Sequence, residues 1–283
     1  MDAKARLRRY LEQRQELGES DILFDHLSAA DALRLIRSVG RGGAINAVKA
    51  RPDREVSQEA PAETGGWRSL LQGEAAVQRG LIVGAQSSEL FNSDIMRLNS
   101  LKAIAKAVDE CKRCPLYKTA TNGVPGEGDP KAQLVCVGEA PGATEDATGR
   151  PFVGQAGGLL TKILSAVKLT REEVFITNVI KHRPPGNRNP MADEIAACSP
   201  YLVRQLELIK PKVIIAFGTF AAQTLLETKT PIGKLRGLVH QYHGIPLVVT
   251  YHPAALLRNP AWKRPTWEDV KLARRVLDSA TRA

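Results

Sequence analysis

Four residues able to do chemistry follow directly on short apolar runs of this 283-residue chain: Glu139 after Leu134-Val135-Cys136-Val137, Asn178 after Val174 to Thr177, Gly218 after Val213 to Phe217, and His252 after Leu247 to Tyr251. Apolar runs of this length, bounded by Gly and Pro, read as buried parallel strands. In open α/β sheets ligands bind just beyond the strands' carboxyl ends. A carboxylate, an amide, a bare backbone and an imidazole would then meet along one edge, a set suited to holding a polar ligand and moving a proton. A single such residue is commonly a satisfied loop former; four together point to a shared site. The first of these stretches, QLVCVGEAPGATEDATGRPFVGQAGG from Gln133 to Gly158, adds Glu145, Asp146 and Phe152 around a Gly- and Pro-rich turn.

A second constellation is built on sulfur. The chain has four cysteines, all between Cys111 and Cys198. Cys111-x-x-Cys114 places two thiolates within reach of one metal centre, and Cys198 adds a third from a long helical stretch. Cys136 lies inside the first apolar run and reads as a core residue. In a reducing compartment disulfides are not expected.

The elements that must position these groups alternate. Helical spacing covers Leu101 to Val108, Gly158 to Val167, Ala192 to Ile209, Thr219 to Glu227 and Thr266 to Thr281, with the four strands between them. Alternating strands and helices imply a parallel sheet covered on both faces, a three-layer α/β/α fold with a central four-stranded parallel sheet. Further upstream, Ala3 to Leu17 and Ser28 to Val39 read as short amphipathic helices, and Gly40 to Leu90 as mostly linker or disordered chain with isolated apolar pieces such as Leu81-Ile82-Val83. Residues 1–95 are therefore expected to form an extension of unread function, with or without a protein partner. Residues 96–283 are expected to form the catalytic domain.

The formal net charge is +10, unevenly spread: 13 basic and 14 acidic residues up to Ile95, 27 and 16 beyond it. A cationic C-terminal part favours a polyanionic partner, since Lys and Arg gain affinity by releasing phosphate counterions; a merely basic enzyme is the alternative. No apolar run approaches the ~18 residues of a membrane span, and the N-terminus has no signal-peptide pattern. A cytoplasmic monomer without membrane contact is expected.

GEAPG at Gly138 to Gly142, ED at Glu145-Asp146, GRPFVG at Gly149 to Gly154, ITN at Ile176 to Asn178, RPPGNRNP at Arg183 to Pro190 and HPAALLR at His252 to Arg258 stand in the order found in a known family. The chain resembles the iron-sulfur (family 4) uracil-DNA glycosylases across roughly Leu101 to Leu277. The resemblance implies an enzyme of base excision repair that extrudes uracil from DNA and hydrolyses its N-glycosidic bond. It implies that Phe152 stacks on the flipped base. Asn178 pairs with uracil N3–H and O4, and cytosine would leave a buried polar group unmatched at about 1–3 kcal/mol. His252 faces O2, where charge accumulates as the bond breaks. Glu139 or Asp146 positions the attacking water, Ala140 offers backbone contact only, and Leu256, Leu257 and Arg258 form a wedge entering the minor groove.

The same resemblance implies a [4Fe-4S] cluster, with one departure. The family's fourth cysteine is replaced by His182, so the implied ligands are Cys111, Cys114, His182 and Cys198. Three Cys and one His is equally an ordinary zinc set, and His182 not binding at all is the third possibility. A relative that traps uracil covalently does so through a His in a basic insertion after the ITN strand. The segment Arg183 to Pro190 carries neither, which favours hydrolytic turnover. A metal-stabilised nucleic-acid-binding module without catalysis is the reading from another class.

Overall fold

The computed structural model describes residues 79–84 and 94–282. The amphipathic stretches expected at Ala3 to Leu17 and Ser28 to Val39 lie outside them. Seven strands, β1 (Arg79–Val83), β2 (Glu127–Gly128), β3 (Leu134–Gly138), β4 (Phe175–Asn178), β5 (Val213–Phe217), β6 (Val239–Tyr242) and β7 (Ile245–Thr250), form one mixed sheet in the order β1-β6-β7-β5-β3-β4-β2. Its centre, β7-β5-β3-β4, is the parallel four-strand unit expected from the sequence.

Helices cover both faces: α1 (Leu101–Asp109), α2 (Ala143–Thr148), α3 (Gln155–Ala166), α4 (Ala192–Ile209), α5 (Thr219–Leu225), α6 (Ile232–Leu235), α7 (Pro253–Arg258) and α8 (Lys263–Arg282). The period-2 alternation of the strands divides the interior into two layers. Val135, Val137, Ile214, Ala216, Leu247 and Val249 face α1, α4 and α5 through Ile104, Tyr201, Leu206 and Ala222. Leu134, Cys136, Ile176, Ile215 and Val248 face α3 and α8 through Leu160, Leu164, Leu272 and Val276. Cys136 is thus a core side chain.

Three strands were not expected. β2 is two residues long, and it pairs antiparallel with Phe175 and Ile176 at the sheet's edge. β6 carries the polar pair His240-Gln241, which masks a strand pattern although both residues are buried. It turns back into β7 over His243 and Gly244, both at positive φ, the turn whose twist suits a tight hairpin. β1 takes Arg79–Val83 out of the stretch expected to be mostly linker, the remainder of which up to residue 78 lies outside the described residues: it lies parallel to β6 as the sheet's edge, and Val83 and Ile95 enter the core. The sheet therefore draws on chain upstream of the boundary expected at residue 96.

His240 holds this edge. Its Nδ1 accepts the Leu81 N–H at 2.8 Å and its Nε2 donates to Leu235 O at 2.7 Å, which fixes the neutral tautomer, and burial pushes its pKa below the usual imidazole value. His240→Leu leaves both backbone groups without their partner and is expected to cost about 2 kcal/mol of unfolding free energy, within the ordinary range for such groups. The Leu81 amide should lose hydrogen-exchange protection. Because the unfolded imidazole takes up a proton below about pH 6.5 and the folded one resists it, the contribution is complete above that pH and falls as the solution is acidified. Denaturant unfolding between pH 7.5 and 5 checks both, and the pH slope should be shallower in the variant.

Candidate active site

The carboxyl ends of β3, β4, β5 and β7 bring together Gly138-Glu139, Asn178, Gly218 and His252. Gly138 is the last residue of β3, paired with Asn178 across the ladder. A Cβ there would collide with both Asn178 Oδ1 and the Phe152 ring, so the missing side chain is the space in which those two groups approach. Phe152 also faces His252, with ring centroids 5.4 Å apart and planes 29° from parallel. Phe152 therefore stands beside both of the other groups expected to grip one base, Asn178 across Gly138 and His252 by stacking. Asn178 Oδ1 is buried and has no hydrogen-bond partner. Such a group is costly to leave unmade and is an acceptor awaiting a donor.

Phe152 is held in a conformation that an aromatic residue seldom adopts, with φ at +51°. Arg171 donates to Phe152 O at 2.9 Å and Pro151 O at 2.8 Å while paired with Glu127 at 2.7 Å. Glu145 Oε1 accepts from the N–H groups of Val153 and Gly154 at 2.9 and 2.8 Å. Gly157 in the first turn of α3 leaves room for Phe152 O, which any Cβ would strike. Arg171, Glu127 and Glu145 are positioning residues that the sequence did not reveal in that role. Their partners lie up to 44 positions away, beyond any local signal.

The two carboxylates considered for the water part company. Glu139 is half-buried, and burial is the cause that raises its pKa. Asp146 is buried, and its oxygens accept from Thr121 N at 2.8 Å, Thr121 Oγ1 at 3.1 Å and Asn122 N at 3.4 Å. The Asp146 carboxylate thus fastens the 121–122 loop to α2, a structural task that the expectation for it did not include, whereas Glu139 follows Gly138 directly at the end of β3. Ala140, half-buried, packs against the core beside it.

His252 caps α7, its Nδ1 accepting the Ala254 N–H at 3.2 Å. Nε2 therefore carries the proton. Burial, helped by the Arg258 cation, pushes the pKa down to about 4, so the ring is a neutral donor at physiological pH. The loop after it is fixed by the Tyr251–Trp262 stack at 4.6 Å and by Arg236, which lies 4.4 Å over Tyr251 and pairs with Asp269 at 2.7 Å.

The wedge expectation also needs correction. Leu256 is 1% exposed and Leu257 47%. On a helix of six residues the two point in different directions: Leu256 turns inward with Pro253, as Leu257 and Arg258 stay exposed. Leu257 is the apolar side chain free to enter a groove; Leu256 anchors the helix that carries it.

Cys111, Cys114, His182 and Cys198 line one small cavity together with Ile180 and Tyr201. Burial pushes the Cys198 thiol up to about 12 and raises Cys114. Buried thiols that resist ionisation become stable thiolates when a cationic centre compensates them. Burial also lowers the His182 pKa, favouring the neutral imidazole whose lone pair can ligate. The donor set thus fits a metal centre chemically. Among the described residues no three of His, Cys, Asp or Glu converge closely enough for a single metal ion. The loop after His182 is tied to α4 by Arg188, forked onto buried Glu194 at 2.9 and 2.6 Å.

Comparison with known proteins bears on this pocket. The profile of the uracil DNA glycosylase superfamily matches residues 125–271. A type-4 uracil-DNA glycosylase of Sulfurisphaera tokodaii is 48% identical over 186 residues, 62% of this chain and 84% of that protein. Those of Saccharolobus solfataricus and Archaeoglobus fulgidus are each 45% identical, covering 64% and 62% of this chain and 88% and 92% of theirs. No helix among the described residues is long and apolar enough to cross a membrane.

The electrostatics of the histidine carry a direct check. With its pKa held at about 4, the His252 ring should give no titration step in ¹⁵N NMR between pH 5.5 and 8, and its Nδ1 shift should be that of an unprotonated nitrogen throughout. An inflection near pH 6.5, the ordinary imidazole value, would mean that the pocket is open to water.

Proposed function

The chain belongs to the type-4 uracil-DNA glycosylases of the uracil DNA glycosylase superfamily, and on that premise we propose how its own residues excise uracil from DNA and leave an abasic site. The carrying observation is the unpartnered, buried Oδ1 of Asn178 at the rim shared with Phe152 and His252. Uracil presents an N3–H to that oxygen and its O4 to the amide N–H. Cytosine has a lone pair at N3 and an amine at position 4, so both contacts would oppose like with like.

The flipped base stacks on Phe152, whose ring is held by the strained turn beneath it. As the glycosidic bond lengthens, negative charge moves into the ring and onto O2. A neutral N–H donor from His252 stabilises that charge without first giving up a proton of its own, and a fixed donor of this kind contributes about 3–4 kcal/mol. Glu139, ionised, orients water toward C1′ and stabilises the cationic sugar. Burial lifts its pKa, so the acid limb of the reaction is set by this residue rather than by His252. Leu257 fills the space that the base leaves, with Arg258, Lys263 and Arg264 toward phosphates. The positive surplus beyond Ile95 supports a DNA partner.

We further assign Cys111, Cys114, His182 and Cys198 to a [4Fe-4S] cluster. A cluster offers separate iron corners to its ligands, whereas zinc would draw the four together at about 2.0–2.3 Å from one ion; the shared cavity supports a common centre, and the resemblance to the iron-sulfur glycosylases favours the former. When bound, the cluster supplies four metal–ligand bonds that crosslink the chain after α1 to α4 and to the Arg183–Pro190 loop.

Three measurements test these assignments. The protein should release uracil from a single-stranded uracil oligonucleotide; Asn178→Ala and His252→Ala should each reduce release by at least about a hundredfold, as removal of a charge-stabilising donor does elsewhere. In kcat/KM, activity should fall as the pH drops through a value above the usual ~4.3 of a glutamate, and Glu139→Gln should abolish that limb. Asp146→Asn should keep the limb. Anaerobically purified protein should contain iron and acid-labile sulfide, lost in Cys198→Ala and kept in His182→Cys. Zinc without sulfide would rule the cluster out.

A further inference from the structure

Between the base pocket and the cysteine cavity lies a residue to which nothing above gives a task. Lys181 is wholly buried, which is rare for a lysine without a counter-charge in contact. Its ammonium donates to Thr177 Oγ1 at 2.6 Å, Asn178 O at 2.8 Å and Gln205 Oε1 at 2.7 Å, three neutral acceptors for three donors. Its main chain is engaged as well: the N–H donates to Cys198 Sγ at 3.2 Å and the carbonyl accepts Val124 N–H at 2.7 Å.

Strand pairing explains why a donor is needed here. The Val179 N–H points to Gly138 O on β3 at 2.9 Å. In a trans peptide the preceding carbonyl points the opposite way, so Asn178 O faces the outer side of β4. There β2 pairs only with Phe175 and Ile176, and the ladder ends two residues before the strand does. A methionine would fill the volume of Lys181 without the cost of burying a cation, but it could not donate to that carbonyl.

We propose that Lys181 is a positioning residue for uracil recognition: it takes the place of the missing strand, holds the carbonyl of Asn178, and so fixes the plane in which the Asn178 amide meets the base. Through its own N–H on Cys198 Sγ the same residue joins this plane to the cysteine cavity. The inference rests on the reading of the pocket as a uracil site.

The test separates base recognition from DNA binding and from folding. Lys181→Met and Gln205→Leu are prepared alongside the wild type and checked for circular dichroism and for metal content. Affinity for free uracil is measured by calorimetry, and affinity for an abasic-site oligonucleotide by anisotropy. Lys181→Met should bind uracil at least about tenfold more weakly, the scale of a lost charge-assisted hydrogen bond, and bind abasic DNA within about twofold of wild type, since the groove-facing residues sit on α7 and α8. Gln205→Leu, which removes one acceptor and leaves Lys181 in place, should show a smaller loss in the same direction, and it decides the matter if Lys181→Met does not fold. Unchanged uracil affinity in the folded variant, or an equal loss of uracil and abasic-DNA affinity, overturns the inference. A wild-type protein that releases no uracil from DNA overturns the reading of the pocket, and the inference with it.

Discussion

The approach of Phe152 to Asn178 is possible because β3 ends on a residue with no side chain. Gly138 lets Phe152 and Asn178 come together over bare backbone, and every other arrangement at the rim follows from keeping that approach in register. The constraint is steric, but it has electrostatic consequences. Burial at this rim leaves Asn178 Oδ1 unpaired, drives His252 to its neutral form, and drives Glu139 toward its protonated form. One geometric fact thus prepares an acceptor, a neutral donor and a base whose charge is weakly solvated.

Such a site stores unfavourable free energy, and the surroundings offset it. The left-handed backbone of Phe152 persists because Arg171 and Glu145 grip the turn from both sides. The desolvated His252 persists because Ala254 N–H occupies its Nδ1, and because the Tyr251, Trp262 and Arg236 stack immobilises the loop. Polar groups within the protein replace water at each point, which is how a preorganised site avoids reorganising when charge develops.

What could be read from residues alone divides along the same line. The four central strands, the helices between them and the placement of Glu139, Asn178, Gly218 and His252 at strand ends were legible because strand pattern and strand-end position are local properties. β1, β2 and β6 were not: β2 has two residues, β6 carries a polar pair, and β1 pairs with chain about 160 positions away, as Leu81 on His240 illustrates. The acidic pair Glu145-Asp146 was visible but its roles were not, since two adjacent carboxylates on α2 turn to different loops, one to 153–154 and the other to 121–122. Leu256 and Leu257 differ likewise only in which side of a short helix meets the core.

The position of the cysteine cavity follows from this economy of backbone. β4 carries Asn178 at its end, and the chain that leaves it must turn at once while keeping that residue still. It does so by giving Val179 and Ile180 N–H groups to the carbonyls of Gly138 and Glu139, and by giving the Lys181 N–H to Cys198 on α4. The next residue is His182, on the wall of the cavity. Three residues, Val179, Ile180 and Lys181, therefore connect Asn178 to a ligand candidate for the metal, each with its N–H bonded. A metal centre bound there would hold Asn178 through this short connection, whereas Phe152 and His252 stand on other elements. Loss of the metal would accordingly act first on the Asn178 arm of the pocket, and replacing thiolate by imidazole at residue 182 changes the anchor's charge while leaving that connection the same length.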